Sequence, residues 1–180
     1  MTPLTRKHTF DEVFDSQQVY RLLLTAFANP SRLVSIRAYA DKLFGQQPEM
    51  LALAFTLLDN EVSFAVYGCD NLSDDIAFLT LSSQDSAQNA DYIFVTEAAQ
   101  MEAAVTAAKC GTLRDPHKSA TLIVKNSGDP TVPLDLSGSG IPGTVRIMGT
   151  NTVNAAITLR DAQNYEYPQE IGRASCRERV

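Results

Sequence analysis

Residues 92–124 decide the fold, and they read YIFVTEAAQMEAAVTAAKCGTLRDPHKSATLIV. The run opens on Tyr92-Ile93-Phe94-Val95, a short apolar and aromatic segment that predicts a buried strand. Residues 97–109 are rich in alanine and predict a helix, which ends at Gly111, a residue suited to a left-handed C-cap. Thr121-Leu122-Ile123-Val124 predicts a second buried strand. A strand, a helix and a further strand are the repeating unit of an α/β sheet.

The rest of the chain continues this alternation. Asp15 or Ser16 can cap a first helix, which Asn29-Pro30 ends. The apolar residues of that helix follow a 3.6-residue stripe, at Val19, Leu22, Leu23, Ala26 and Phe27. Further helices are predicted from Pro48 to Asp59-Asn60, over 74–81 and over 153–160, with strands over 61–67 and in a hairpin near 134–136 and 145–147. The pattern predicts an α/β fold: a single three-layer domain with a mixed sheet between helices.

Composition excludes several classes of protein. The 180 residues carry 15 Lys plus Arg against 21 Asp plus Glu, a net charge of −6 that disfavours nucleic-acid binding. Cys69 and Cys110 are isolated, so neither a disulfide framework nor a metal-ligand spacing is present. The amino terminus lacks the apolar stretch of a secretion signal, and no apolar run is long enough for a membrane span. We therefore expect a cytoplasmic protein with no nucleic-acid or membrane partner.

One loop combines groups that could bind an anion. Arg114, His117 and Lys118 lie within five residues, after the helix of residues 97–109. Arginine offers bidentate hydrogen bonds to a phosphonate or phosphate group. The competing interpretation, which we favour, is a turn formed by Asp115-Pro116 with solvated charges around it. One histidine without an orienting partner is no catalytic constellation, so the catalytic residues are unknown and no metal site is expected.

Residues 138–143 match a dinucleotide-binding fingerprint letter for letter, as GSGIPG. That fingerprint needs a helix directly after the glycines, because the helix amino terminus binds the pyrophosphate. Here Pro142 and the β-branched residues that follow predict a turn into a strand. We therefore assign the glycines to turn positions.

Four segments, taken in order along the chain, resemble the PhnH family, the H subunit of the bacterial carbon–phosphorus lyase machinery. They are Asp15–Leu23 (DSQQVYRLL), Leu57–Phe64 (LLDNEVSF), Gly111-Thr112 leading into Asp115–Val124 (DPHKSATLIV), and Leu136–Gly143 (LSGSGIPG). The resemblance implies a fold similar to the large domain of pyridoxal-phosphate-dependent transferases. It does not imply the cofactor, because no aspartate stands at a recognisable spacing from Lys125, the best lysine candidate. We expect no cofactor.

The resemblance also implies a function. Members of this family belong to a core complex with the G, I and J subunits, which couples alkylphosphonates to the ribose of ATP and then breaks the carbon–phosphorus bond. The family's H subunit has no assigned catalytic residue, so an accessory, structural role is expected, with a homodimer in isolation. The alternative is a stand-alone transferase acting on a small phosphorylated or phosphonate substrate through Arg114, His117 and Lys118.

The last ten residues, 171–180, read IGRASCRERV and lose any hydrophobic period. The decapeptide back-translates in frame to a common short-read sequencing adapter that places a stop codon directly after the valine. We interpret residues 1–170 as the PhnH-like domain and residues 171–180 as a non-native tail. A final apolar strand of the family would then be missing, which would leave its neighbour unpaired. The alternative is a genuine basic tail whose three arginines could hold a phosphate or nucleic acid.

Overall fold

The computed structural model describes residues 7–126, 128–138, 141–163 and 172–177. The helices are α1 (Phe14–Ala28), α2 (Arg37–Ala40), α3 (Pro48–Leu57), α4 (Asp70–Thr80), α5 (Met101–Ala107) and α6 (Asn151–Asp161). The strands are β1 (Ser63–Tyr67), β2 (Ser83–Gln84), β3 (Tyr92–Val95), β4 (Thr121–Asn126), β5 (Val132–Gly138), β6 (Ile141–Gly149) and β7 (Gly172–Arg177). None of the helices in these ranges is both long enough and apolar enough to cross a membrane.

Within the described ranges, five strands form the central sheet, in the order β2-β1-β3-β4-β7. The α/β class is confirmed, but each strand pair of this sheet is parallel rather than mixed in direction. Among the described strands, antiparallel pairing occurs in a separate hairpin of β5 and β6. Strands β3 and β4 read as near-continuous apolar runs because parallel sheets are covered on both faces.

The sheet lies between two layers of helices. On one face Phe64, Phe94 and Ile123 pack with the buried residues of α1, α3 and α4. On the other face their strand neighbours, which include Ile93 and Leu122, pack with α5 and α6. Successive strand residues point to opposite faces, so one strand supplies both cores. The predicted three-layer arrangement is confirmed.

Two capping predictions were wrong. Asp15 lies inside α1, and the Asp11 carboxylate instead accepts hydrogen bonds from the Val13 and Phe14 amides. The helix after β3 ends at Ala107, so Gly111 is not its C-cap. Gly111 has a φ of +72°, and a Cβ there would lie 2.7 Å from the Pro116 carbonyl oxygen. The close approach of this loop to itself therefore explains the glycine.

The glycine-rich segment is a strand turn, as predicted. Strand β5 ends at Gly138 and β6 begins at Ile141, so a strand rather than a helix follows. Residues 139–140 lie outside the described residues. The described residues 141–149 therefore contain no helix amino terminus that could bind a pyrophosphate. The dinucleotide fingerprint needs such a helix directly after its glycines.

The edge of β4 is paired with the tail. Six residues of β4, from Thr121 to Asn126, stand in register with Gly172 to Arg177. The prediction that this edge is left unpaired was therefore wrong. An exposed strand edge offers backbone donors and acceptors to any extended chain. The non-native origin of residues 171–180 stays a prediction.

Candidate functional site

The carboxyl ends of β1 and β3 form the place where an open parallel sheet usually binds a ligand. From β1 the chain passes through α4 to β2, and then to β3 on the other side of β1. Helix α4 packs on one face of the sheet and α5 on the opposite face. Such a reversal of strand order normally opens a crevice between the two connections.

In this protein the backbone of that edge is closely packed. Gly68, directly after β1, has a φ of +102°, and a Cβ there would lie 2.6 Å from Thr96 Oγ1 and 2.8 Å from Glu97 Cγ. The Thr96 amide and hydroxyl each donate a hydrogen bond of 3.0 Å to the Tyr67 carbonyl oxygen. The residues that follow β3 therefore lie directly against the residue that follows β1, at the point where such a crevice would open.

A recess near the start of α4 is also too small for a substrate. It lies beside Cys69 and Asp75 and encloses about 10 Å³. A cavity of that size holds about one water molecule. Ligand pockets commonly enclose about 300–1,000 Å³. The recess therefore has room for a solvent molecule but not for a nucleotide or a phosphonate ester.

The predicted anion-binding residues lie at the opposite edge of the sheet. Arg114, His117 and Lys118 belong to the loop between α5 and β4, which enters the sheet at the amino end of β4. An isolated antiparallel β-bridge pairs the backbones of Cys110 and Ser119 at the two ends of this loop. Residues 116–118 within it form a single 3₁₀ turn. All three side chains are exposed. This edge is not where α/β sheets commonly bind their ligands.

Within this loop Lys118 pairs with an acidic neighbour. Lys118 Nζ lies 3.3 Å from Asp115 Oδ2, and the Asp115 amide donates to Thr112 Oγ1. In the part of the chain that the structure describes, no hydrogen bond or ion pair reaches Arg114 or His117. The predicted Asp115-Pro116 turn is thus present. A ligand-binding role for the three residues stays a prediction, under which His117→Ala would reduce growth on phosphonate without lowering the yield of the assembled complex.

Sequence reasoning missed a partly buried ion pair between Asp15 and Lys42. Lys42 Nζ lies 2.7 and 2.8 Å from the two carboxylate oxygens of Asp15, and the Asp11 amide donates to the same carboxylate. The hydrogen bond from the Asp11 backbone and then the contact with Lys42 hold the pKa of Asp15 below its ordinary value. The pair ties α1 to the segment after α2. Lys42 also borders an open depression between residues 7–9 and 41–43, and its ammonium group there already faces a carboxylate.

A second network joins three strands at the amino edge. Asp91 Oδ2 accepts hydrogen bonds from the Ser63 amide and hydroxyl, and Lys109 Nζ lies 2.6 Å from Asp91 Oδ1. Burial alone would raise the pKa of Asp91, but the hydrogen bonds from Lys109 and Ser63 outweigh it, so the pKa is lowered. The Asp91 carbonyl also accepts from the Thr121 amide. Each polar group is used to join β1, β3 and β4, so we interpret the network as structural.

No described group of three His, Cys, Asp or Glu side chains could hold a metal ion.

Asp59 accepts a hydrogen bond from the Glu61 amide, as expected of the turn that we predicted there. At the carboxyl end of β4, buried Asn126 accepts a hydrogen bond from Thr150, which caps α6. The polar side chains in these two places therefore complete a turn and a helix cap.

The comparison with protein families gives one match. The model of the bacterial phosphonate metabolism protein (PhnH) family matches residues 8–172. No curated protein matches the chain. The matched range contains all four of the segments on which the resemblance rested. The chain belongs to the PhnH family of bacterial phosphonate metabolism proteins.

Proposed function

We propose that this protein is an accessory, structural subunit of the carbon–phosphorus lyase core complex. The G, I and J subunits would then carry the chemistry, which forms ribose 1-phosphonate 5-triphosphate from ATP and a phosphonate and afterwards cleaves the carbon–phosphorus bond. Membership of the PhnH family over residues 8–172 is the observation that carries this proposal. The role is in the cytoplasm, and the protein is a homodimer when its partners are absent.

The packing at the sheet edge supports a docking role over a catalytic one. Gly68 lies against Thr96 and Glu97 at the point where a substrate crevice would otherwise open. Arg114 and His117 are exposed and lie on the loop at the opposite, amino edge of the sheet. A transferase needs a cleft that holds a substrate and orients a base. The described residues offer several exposed apolar side chains instead, which suit contact with another protein.

Affinity purification tests the assignment. For this test the chain is produced with an affinity tag, together with untagged G, I and J subunits. Native mass spectrometry then measures the masses of the eluted complexes. The proposal predicts that all three subunits elute with the tagged chain in fixed stoichiometry. A tagged chain that elutes alone, while G, I and J still associate with one another, would overturn it.

A further inference from the structure

An open depression of about 600 Å³ lies on the surface between residues 7–9 and residues 41–43. Ligand pockets commonly enclose about 300–1,000 Å³, so the depression has room for a small molecule, unlike the recess beside Cys69. The Thr9 amide donates a hydrogen bond of 3.0 Å to the Lys42 carbonyl oxygen, which joins the two walls. The walls of the depression are therefore held at a fixed distance.

The charged groups at the depression differ in whether an opposite charge neutralises them. Lys42 Nζ lies 2.7 Å from Asp15 Oδ1. Asp41, on the rim, has its Oδ2 atom 3.7 Å from Arg37 Nε. Lys7 is exposed at the same depression, and no ion pair or hydrogen bond reaches its side chain from the described residues. The charge of Lys7 is therefore available to a bound anion.

His8 turns one ring nitrogen toward the interior and leaves the other for the depression. Its ring packs against two phenylalanines, with the ring centroids 6.1 Å from Phe44 and 6.0 Å from Phe55. The Nδ1 atom is buried and has no hydrogen-bond partner in the described part of the chain. His8 is half-buried and borders the depression, so Nε2 is the ring nitrogen that a ligand there can reach.

The burial of Nδ1 determines where the neutral ring of His8 carries its proton. A neutral imidazole has one N–H donor and one acceptor nitrogen. A proton on Nδ1 would bury a donor without a partner, and an unpaired buried donor is costly. The proton therefore belongs on Nε2. Both the neutral and the protonated ring then donate from Nε2, so His8 is a hydrogen-bond donor toward the depression.

We propose that this depression binds a small phosphonate or phosphate dianion. Lys7 supplies the positive charge, and His8 Nε2 donates a hydrogen bond to one oxygen of the anion. The exposed hydroxyl of Thr9 donates to another. A tetrahedral dianion has three terminal oxygens, which suit three separate donors better than a flat carboxylate does. The site binds without reacting, and its existence does not depend on the assignment of the chain to the lyase complex.

Histidine ring NMR of the whole chain locates the anion. The chain has two histidines, His8 and His117, so each ring signal is assigned with the variant that lacks it. Methylphosphonate and inorganic phosphate are titrated separately at fixed pH, with sodium chloride of equal ionic strength as the control. We expect a saturable shift of the His8 signal and a constant His117 signal. The probe with the lower dissociation constant identifies the source of the ligand, a phosphonate or free phosphate.

Two results of this titration would contradict the site. A shift confined to His117 would place the anion on the loop of Arg114 and Lys118 instead. A His8 signal that does not move, or that moves no more than it does in sodium chloride, would show that the depression binds neither probe.

Calorimetry with the tighter-binding probe tests the roles of the two residues. His8→Phe keeps an aromatic ring against Phe44 and Phe55 but removes Nε2, so the dissociation constant should rise about tenfold or more. Lys7→Gln should also raise it, because the charge is lost. The matched controls, His117→Phe and Lys118→Gln, should leave it unchanged.

Urea denaturation separates a loss of binding from a loss of folding. His8→Phe replaces a buried nitrogen that has no partner, so its free energy of unfolding should be about that of the unaltered chain. A folded His8→Phe with unaltered affinity for the probe would overturn the proposal. If His8→Phe does not fold, Lys7→Gln decides, because the exposed side chain of Lys7 can be changed without disturbing the core, and unaltered affinity in that variant would overturn the proposal equally.

Discussion

Gly68 and Gly128 share a backbone conformation but have different surroundings. Their φ angles are +102° and +97°, a region that side chains with a Cβ enter only at a cost. A Cβ on Gly68 would meet Thr96 and Glu97, whereas a Cβ on Gly128 would have nothing within 4 Å. The two positions therefore separate backbone strain from steric exclusion. Sequence alone marks both as turn residues and cannot separate them.

We expect Gly68→Ala to destabilise the protein more than Gly128→Ala. The strain of a positive φ costs each variant about 1–2 kcal/mol. At Gly68 the Thr96 side chain must also move and give up its hydrogen bond to Tyr67, which adds about 1 kcal/mol. Urea denaturation of both variants measures the difference in the free energy of unfolding. Equal losses would show that the edge between β1 and β3 is looser than the geometry indicates.

The ion pairs of Asp15 and Asp41 differ in burial. Asp15 and Lys42 expose 10% and 39% of their side chains, whereas Asp41 and Arg37 expose 62% and 66% and stand 3.7 Å apart. Exposed pairs contribute about 0–1 kcal/mol because water screens them. The chain thus contains a matched pair of aspartates, one structural and one at the surface.

Asp15→Asn should lower the free energy of unfolding at pH 7 by about 1–3 kcal/mol, since a charged hydrogen-bond network is lost. Asp41→Asn should change it by less than about 0.5 kcal/mol. The pKa of Asp15 is lower in the folded state than in the unfolded state. Its contribution is therefore complete above the unfolded pKa of about 3.9 and is lost as the pH falls through the folded value. Between pH 6 and pH 2, the melting temperature of Asp15→Asn should fall less steeply than that of Asp41→Asn. Identical pH profiles would contradict a stabilising role for the Asp15–Lys42 pair.

At the scale of elements, local pattern predicted the strands whose side chains are all apolar. Residues 92–95 were predicted at the bounds observed for β3, because a buried parallel strand has an apolar sequence independent of its neighbours. The two-residue β2 was missed, because only its pairing with β1 makes it a strand. The short helix α2 was missed for a similar reason, since four residues carry no helical period. Helix α4 begins at Asp70, whereas the sequence predicted residue 74. No side chain caps its first turn, so the sequence carries no cap signal at the true start.

The pairing of β7 with β4 gives a prediction at the same scale. A chain that ends at Gln169 lacks β7 and exposes the backbone of β4 along six residues. We expect its melting temperature to fall by about 4 °C or more, and its aggregation to increase, because an unpaired edge recruits other chains. Calorimetry and light scattering measure both. Arg173→Ser with Arg177→Ser in the full chain is the control and should melt unchanged, because the pairing uses backbone groups. A shortened chain as stable as the full one would contradict the role of β7.

At the scale of the whole molecule, the sequence predicted the loop of Arg114, His117 and Lys118 but not its position. Its place at the amino edge depends on the order β2-β1-β3-β4-β7, which arises from pairings between residues far apart in the chain. The contact of Gly68 with Thr96 joins residues 28 positions apart and was equally outside local pattern. The ion pair of Asp91 with Lys109 also joins residues from separate elements, so local pattern did not predict it. Long-range topology therefore decides which residues can meet, and here it places Arg114, His117 and Lys118 at the amino edge of the sheet.

Phosphorus NMR tests whether this chain docks onto its partners without reacting itself. An alkylphosphonate and ATP are incubated with the purified chain alone, with the G, I and J subunits alone, and with all four together. We expect no change in the phosphonate signal with the chain alone, and the greatest conversion when all four subunits are present. Conversion of the phosphonate by this chain without any companion would contradict it.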